Sequence, residues 1–469
     1  MADTENENPG TEGASPSEGM ATDDAVGSSP RGPRLGRRGF LGAGALVGAA
    51  LAGNVTEAEA QPPARRRVQA TEGPASGDTD DRYRPVVTPN GSSLPFRWVD
   101  GVKVMHLRAE PVDHEFTDGL RAECWGYNGS TPGPTIEAVE GDRLRIYVTN
   151  GLQEQTTVHW HGILLEAGMD GVGGLTQPPI EPGETYRYEF TVGEPGTFMY
   201  HPHWDEMTQM AMGMMGMFVV HPRRPSGFVP DRDFAIILNE WSVPIGAARP
   251  DPFEMSDFNV LTMNSKVFPA TDALVAKLDD RVRIRFGNLS GIDNHPIHLH
   301  GYSFRIAGSD GGAYPPSAQQ PHTTVLVPTG SCRWVEFEAN APGDWAMHCH
   351  MTHHVMNQMG HGIPNMVGVR GGRDFDRRLR RLVPGYMPMG RNGMGSMGEH
   401  DMPIPANSIP MRGGPGAFGR IDMGGMFTIV KVREGLTDYA DPGWYEHPEG
   451  TVARVATEAE LRADGIDLS

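Results

Sequence analysis

The stretch GDRLRIYVTN, Gly141–Asn150, returns later in the chain as DDRVRIRFGN, Asp279–Asn288. In both copies apolar and polar residues alternate, Leu144, Ile146 and Val148 in the first and Val282, Ile284 and Phe286 in the second. That period of two belongs to a strand with one buried face. Two further pairs follow in the same order: HWHG at 159–162 with HLHG at 298–301, and PGTFMYHPH at 195–203 with PGDWAMHCH at 342–350. Three matched pairs in one order mark a duplicated domain. Tyr186–Phe190 and Trp334–Phe337 alternate likewise, and Asn-Gly, Pro-Gly and Gly-Asp steps interrupt these runs at short intervals, as in antiparallel sandwiches. The expectation is an all-β chain with two sandwiches, at 95–225 and 228–370.

Composition agrees. The chain has 469 residues with 61 Gly and 40 Pro, too many for a helical bundle. Its formal charge of -19 argues against a nucleic-acid partner or an anionic membrane surface. Residues 1–35 are polar and poor in apolar side chains. Arg37 and Arg38 then precede the apolar run GFLGAGALVGAALAG, too short to span a bilayer, and Ala58-Glu59-Ala60 forms an A-x-A cleavage signal. Residues 1–60 therefore read as a twin-arginine signal region, with export to the periplasm or the extracellular space. Residues 61–94 read as linker, and no other stretch is long and apolar enough for a membrane span.

The repeated segments are also where the histidines sit. In a strand, residues i and i+2 share a side, so His159/His161, His201/His203, His298/His300 and His348/His350 each present two imidazoles together. Four such pairs at equivalent places point to metal binding, but imidazole suits copper, zinc, iron or nickel alike. Cys349, between His348 and His350, points to the opposite face and can ligate a different metal from its neighbours. His295 lies three residues before His298, His354 five after Cys349 and Met359 ten after it. One Cys, two His and a weak axial Met make a blue-copper electron-transfer site.

The pattern His-x-x-His-x-His with His-Cys-His-x-x-x-His-x-x-x-x-Met, joined to His-Trp-His-Gly and His-x-His, resembles the multicopper oxidases, the family of laccases, ascorbate oxidase and ceruloplasmin. The resemblance covers most of residues 125–367. It implies cupredoxin-like Greek-key sandwiches, with Cys349, His295, His354 and Met359 at a type 1 copper. It places His159 and His298 on a type 2 copper. Of the type 3 pair, one copper would be held by His161, His201 and His350, the other by His203, His300 and His348. Asp170, in MDGVGGLTQPPI, matches the family's carboxylate near the type 2 copper and is the candidate proton donor.

Two departures stand out. Pro202 occupies the place equivalent to Cys349, so the first domain offers only cluster ligands. The turn after His-Cys-His is Met351-Thr352-His353, without the carboxylate often found there; Pro178 likewise stands where the family has a cysteine. No spacer domain fits between Met217 and His295. The chain is thus similar to two-domain laccases, in which one subunit's first domain and the next subunit's second share a cluster, and a head-to-tail ring of three is expected.

The implied reaction is one-electron oxidation of a phenol or Cu(I), coupled to reduction of dioxygen to water. A two-domain copper nitrite reductase and a copper-sequestering protein without turnover are the alternatives. Methionines are concentrated in MTQMAMGMMGM, 207–217, and in the tail at Met387, Met389, Met394, Met397 and Met402. Thioethers favour Cu(I), yet Met also fills core gaps, the reading preferred for Met215 and Met217. The tail, 371–469, is Gly- and Met-rich with one more strand expected in MFTIVKVRE, 426–434. Cys124 and Cys332 are left as a disulfide or as two buried thiols. His106, His114, His221 and His322 are expected as satisfied core histidines, and His353 as a solvated loop residue.

Overall fold

The computed structural model describes residues 78–358, 377–378, 381–382, 406–411 and 413–468. The expected signal region, Met359 and the five tail methionines lie outside these residues. Among the described residues no helix is long and apolar enough to cross a membrane.

Among the described residues, the regular structure is almost all strand. In the first sandwich, one sheet runs Phe96–Val99, Val102–Thr117, Arg143–Asn150, Thr185–Thr191, with Leu120–Tyr127 also on Val102–Thr117. It faces a second sheet in the order Gly133–Val139, Gly216–His221, Gly196–His201, His159–His161. The opening stretch behaves as its alternation requires: Leu144, Ile146 and Val148 are buried, pack with Trp160, Phe190 and Phe218, and alternate with more exposed neighbours.

The second sandwich repeats the plan. Arg281–Asn288 pairs parallel with Arg232–Trp241, as Arg143–Asn150 pairs with Val102–Thr117, and it lies beside Cys332–Glu338. The facing sheet runs Leu274–Lys277, Phe427–Arg433, Gly343–Cys349, His295–Leu299, Thr324–Val327. Its core joins Ile284, Phe286, Val335 and Phe337 to Ile297, Cys349 and Val430.

Two boundaries differ from expectation. The strand expected at 426–434 sits inside the second sheet, between Leu274–Lys277 and Gly343–Cys349. The second sandwich therefore needs chain beyond residue 370. Residues 78–94, expected as linker, are part of the packed unit. Val86 is buried between the sandwiches, Val87 bridges Phe234, and Arg82 donates to Asp142 at 2.6 and 2.8 Å. Their Pro, Arg and Asp content looks like linker only because the partners lie far along the chain.

The sandwiches meet over Met199, Met215, Met217, Ala235, Ile237, Leu289 and Cys332. Met215 and Met217 are thus core residues, as preferred from the sequence, filling an irregular seam. Within the seam the Arg285 guanidinium pairs with both oxygens of buried Asp233 at 2.8 and 2.9 Å and donates to Thr197 Oγ1 of the first sandwich at 2.6 Å.

Candidate metal centre

Pairing of His159–His161 with Gly196–His201 is antiparallel and sets His159 opposite His201. Trp160 takes the core side, so both imidazoles face away from it, and His203 joins them just past the strand end. Ring centroids lie 5.7 Å apart for His159/His161, 5.4 Å for His159/His201 and 5.6 Å for His159/His203. The second sandwich repeats this. His298 is opposite His348, with centroids at 4.8 Å to His300 and 5.7 Å to both His348 and His350.

Backbone carbonyls fix which nitrogen each ring presents. The Nδ1–H of His159 donates to Asp170 O, of His201 to Pro202 O, of His298 to Thr323 O and of His348 to Cys349 O, at 2.7 to 2.9 Å. Each bond leaves Nε2 free to accept a metal, the usual outer support of a ligating imidazole. His161 Nδ1 then comes within 3.1 Å of His201 Nε2, and His300 Nε2 within 3.2 Å of His348 Nε2. Burial lowers the pKa of His201 to about 3 and also lowers those of His161, His300 and His348. At neutral pH these rings are neutral, the form that binds metal. Among the described residues no His–His ring contact joins one quartet to the other.

Cys349 faces the opposite way from His348 and His350, into the core beside Ile297. There its Sγ lies 3.8 Å from His295 Nδ1 and 3.5 Å from His354 Nδ1, and these two nitrogens are 3.2 Å apart. All three side chains are buried and their ligand atoms lie within 4.8 Å of one another. Burial pushes the Cys349 thiol up to about 12 and, with His354 beside it, His295 down to about 3. Uncharged donors gathered around one point suit a soft-to-borderline cation that displaces the thiol proton.

The loop carrying His354 is held by the returning tail. Met426 N donates to His354 O at 2.9 Å, while Cys349 N donates to Met426 O at 3.0 Å, so one tail residue spans both. Asn357 donates to Phe268 O at 3.0 Å and accepts from Gly425 N. No sequence pattern announced this strap.

Asp170 Oδ1 lies 3.4 Å from His159 Nδ1. Four outer residues were missed. Glu206 reaches His201 at 3.4 Å and His203 at 3.7 Å; its place three residues after His203 was the available signal. Ser290 Oγ is 2.6 Å from His295 Nε2, and Asp293 Oδ2 is 3.3 Å from His354 Nε2. Glu240 accepts from the backbone of Ile292 at 2.6 Å and Asp293 at 3.2 Å, and was legible as a carboxylate in an otherwise buried strand.

Other expectations sort plainly. His114 and His221 are buried, on Ser265 O and Glu137 respectively, but His106 and His322 are exposed, because each lies on the solvent side of its strand. His353 is exposed. Cys124 and Cys332 are free, buried thiols in different hydrophobic clusters.

Two family profiles, both described as multicopper oxidase, match residues 108–225 and 244–367, together just over half the chain. The chain belongs to the multicopper oxidase family. Copper resistance protein A of Escherichia coli is 44% identical over 124 residues, 26% of this chain and 20% of that protein. Laccase-1 of Cryptococcus neoformans var. grubii is 31% identical over 265 residues, 47% of this chain and 42% of the relative. The chain thus spans less than half the length of these curated relatives. The blue copper oxidase from Nitrosomonas europaea superposes with a TM-score of 0.53 at 24% identity, over 72% of this chain and 90% of that one, a likeness of fold: paired cupredoxin sandwiches. Membership of this family implies copper.

Proposed function

We propose that this multicopper oxidase takes single electrons from a small reductant, a phenol or Cu(I), and uses four of them to reduce dioxygen to two waters. The observation that carries the reading is Cys349: its thiol shares a buried pocket with His295 and His354, while its chain neighbours His348 and His350 belong to a histidine quartet on the other face. The donor sets fit copper, a thiol with two imidazoles in one place and eight imidazoles in the other. His295, Cys349 and His354, with Met359 as axial partner, would hold the type 1 copper. His159 and His298 would hold the type 2 copper; His161, His201 and His350 one type 3 copper, and His203, His300 and His348 the other. The close nitrogen pairs His161/His201 and His300/His348 support this division.

Bound copper supplies the one-electron steps and the reduction of dioxygen. The chain supplies the rest. Cys349 connects the two sets through a few covalent bonds, the core around it excludes water, and Asp170 stands beside His159 as the proton donor. Export follows from the twin arginines at 37–38, and the two quartets are shared between neighbours in a homotrimer.

The purified protein should carry about four coppers per chain, be blue, and consume dioxygen with either donor. Cys349→Ser should lose the blue absorption and keep most of the quartet-bound copper. A blue Cys349→Ser protein, or a copper-loaded parent that consumes no dioxygen, would overturn the reading.

A further inference from the structure

Away from the histidine quartets, a cavity of about 290 Å³ lies where the two sandwiches meet. Four stretches of chain wall it: the arm at 82–84, the first sandwich at Val220 and His221, the connection through Phe228 and Pro230, and the second sandwich at Arg285 and Trp334. No residue assigned to copper is among its walls. Its surfaces are flat rings. Tyr83 stacks on His221 with centroids 4.2 Å apart and planes 14° apart, and the Arg285 guanidinium carbon lies 5.6 Å from the Trp334 ring centroid. Gly308 makes room for the indole, since a Cβ there would stand 2.0 Å from a ring carbon.

The charged groups of the wall are already matched. Arg285 holds both oxygens of Asp233, Arg283 donates to Glu336 at 2.6 Å, Arg82 donates to Asp142 at 2.6 Å, and Arg84 donates to Asp231 O at 2.7 Å. His221 Nε2 lies 2.9 Å from Glu137. A buried anion would find these cations taken and Asp233 close by, and would lose its hydration for little return. One neutral donor is unmatched. Trp334 is 4% exposed, and its Nε1–H is buried and meets no acceptor. Buried donors are nearly always paired, because an unpaired one keeps the full cost of leaving water.

We propose that this cavity binds a small uncharged aromatic molecule bearing a carbonyl oxygen, its ring against Val220, Phe228 and Pro230 and its oxygen accepting the Trp334 Nε1–H. The volume suits a molecule of one or two rings. Because the walls come from the arm and from both sandwiches, the site exists only in the assembled seam, and the bound molecule stabilises that assembly by mass action. The site is separate from the copper reaction and does not depend on it.

Calorimetric titration of the copper-loaded full chain with acetophenone, an uncharged aryl ketone, is the test. The parent should bind one molecule per chain. Trp334→Phe keeps an aromatic wall and removes the N–H; it should remain blue and bind acetophenone about tenfold more weakly. Toluene, a ring without the oxygen, should bind parent and Trp334→Phe alike. Benzoate, of similar size but charged, should bind the parent more weakly than acetophenone by about tenfold or more. Val229→Trp, at an exposed place in the cavity wall, should fill the entrance and abolish binding, which tests the location should Trp334→Phe fold poorly. No binding to the parent, or equal affinity in the parent and both variants, would overturn the site. Benzoate binding as tightly as acetophenone would overturn the uncharged ligand.

Discussion

Asp170 shows how much one residue carries. Its carbonyl accepts the His159 Nδ1–H and its carboxylate stands 3.4 Å from the same nitrogen, so it aims the ring and is the proton donor of the proposed reaction. Asp170→Asn keeps the carbonyl and the size but removes the acid. The variant should stay blue and accept electrons at the Cys349 site at the parent's rate. Reoxidation of the reduced protein by dioxygen should slow by roughly ten- to a hundredfold. Stopped-flow recovery of the blue absorption checks this; equal recovery rates would remove Asp170 from proton delivery.

Among elements, Arg281–Asn288 bears most on how the two sandwiches are joined, because its Arg285 pairs with Asp233 of the neighbouring strand Arg232–Trp241 and donates to Thr197 of the first sandwich. Burial alone would raise the Asp233 pKa, but Arg285 and Arg283 outweigh it and hold it below the usual carboxylate value. A folded-state pKa below the unfolded one means stability that is present above the unfolded value and lost as pH falls through the folded value. Arg285→Ala leaves Asp233 buried without its main partner and should cost roughly 3–5 kcal/mol at neutral pH. The difference from the parent should shrink below about pH 4, where an ordinary aspartate protonates. Urea unfolding of both proteins across that range is the measurement, and a neutral-pH difference under about 1 kcal/mol would show that the pair is dispensable.

At the scale of the whole molecule, each chain carries two complete histidine quartets, and among the described residues no ring contact brings them together. Under the proposed homotrimer a cluster needing both is built between copies, by a head-to-tail contact that closes into a ring. Light scattering should give a trimer. Dilution to monomers should abolish dioxygen consumption and leave the blue absorption, since His295, Cys349 and His354 come from one sandwich. A monomer with full oxygen uptake would overturn the shared cluster.

Residue periodicity and spacing were enough for the strands, the duplication and the histidine pairs, because these are local. Alternation at 143–150 sets which side of a strand is buried, and i/i+2 spacing sets which imidazoles point together. The position of Cys349 between two histidines already meant opposite faces. What depended on distant chain could not be read. Residues 78–94 looked like linker until Asp142, His221 and Phe234 supplied their partners. The strand at 427–433 enters the middle of a sheet because two strands from 274–277 and 343–349 leave it a place, which no local pattern records. The same holds for the acids. Glu206 and Asp293 matter only because folding puts them against His201 and His354. Sequence determines what each segment can present; the tertiary structure determines what it is presented to, since burial and partners are set by chain hundreds of residues away.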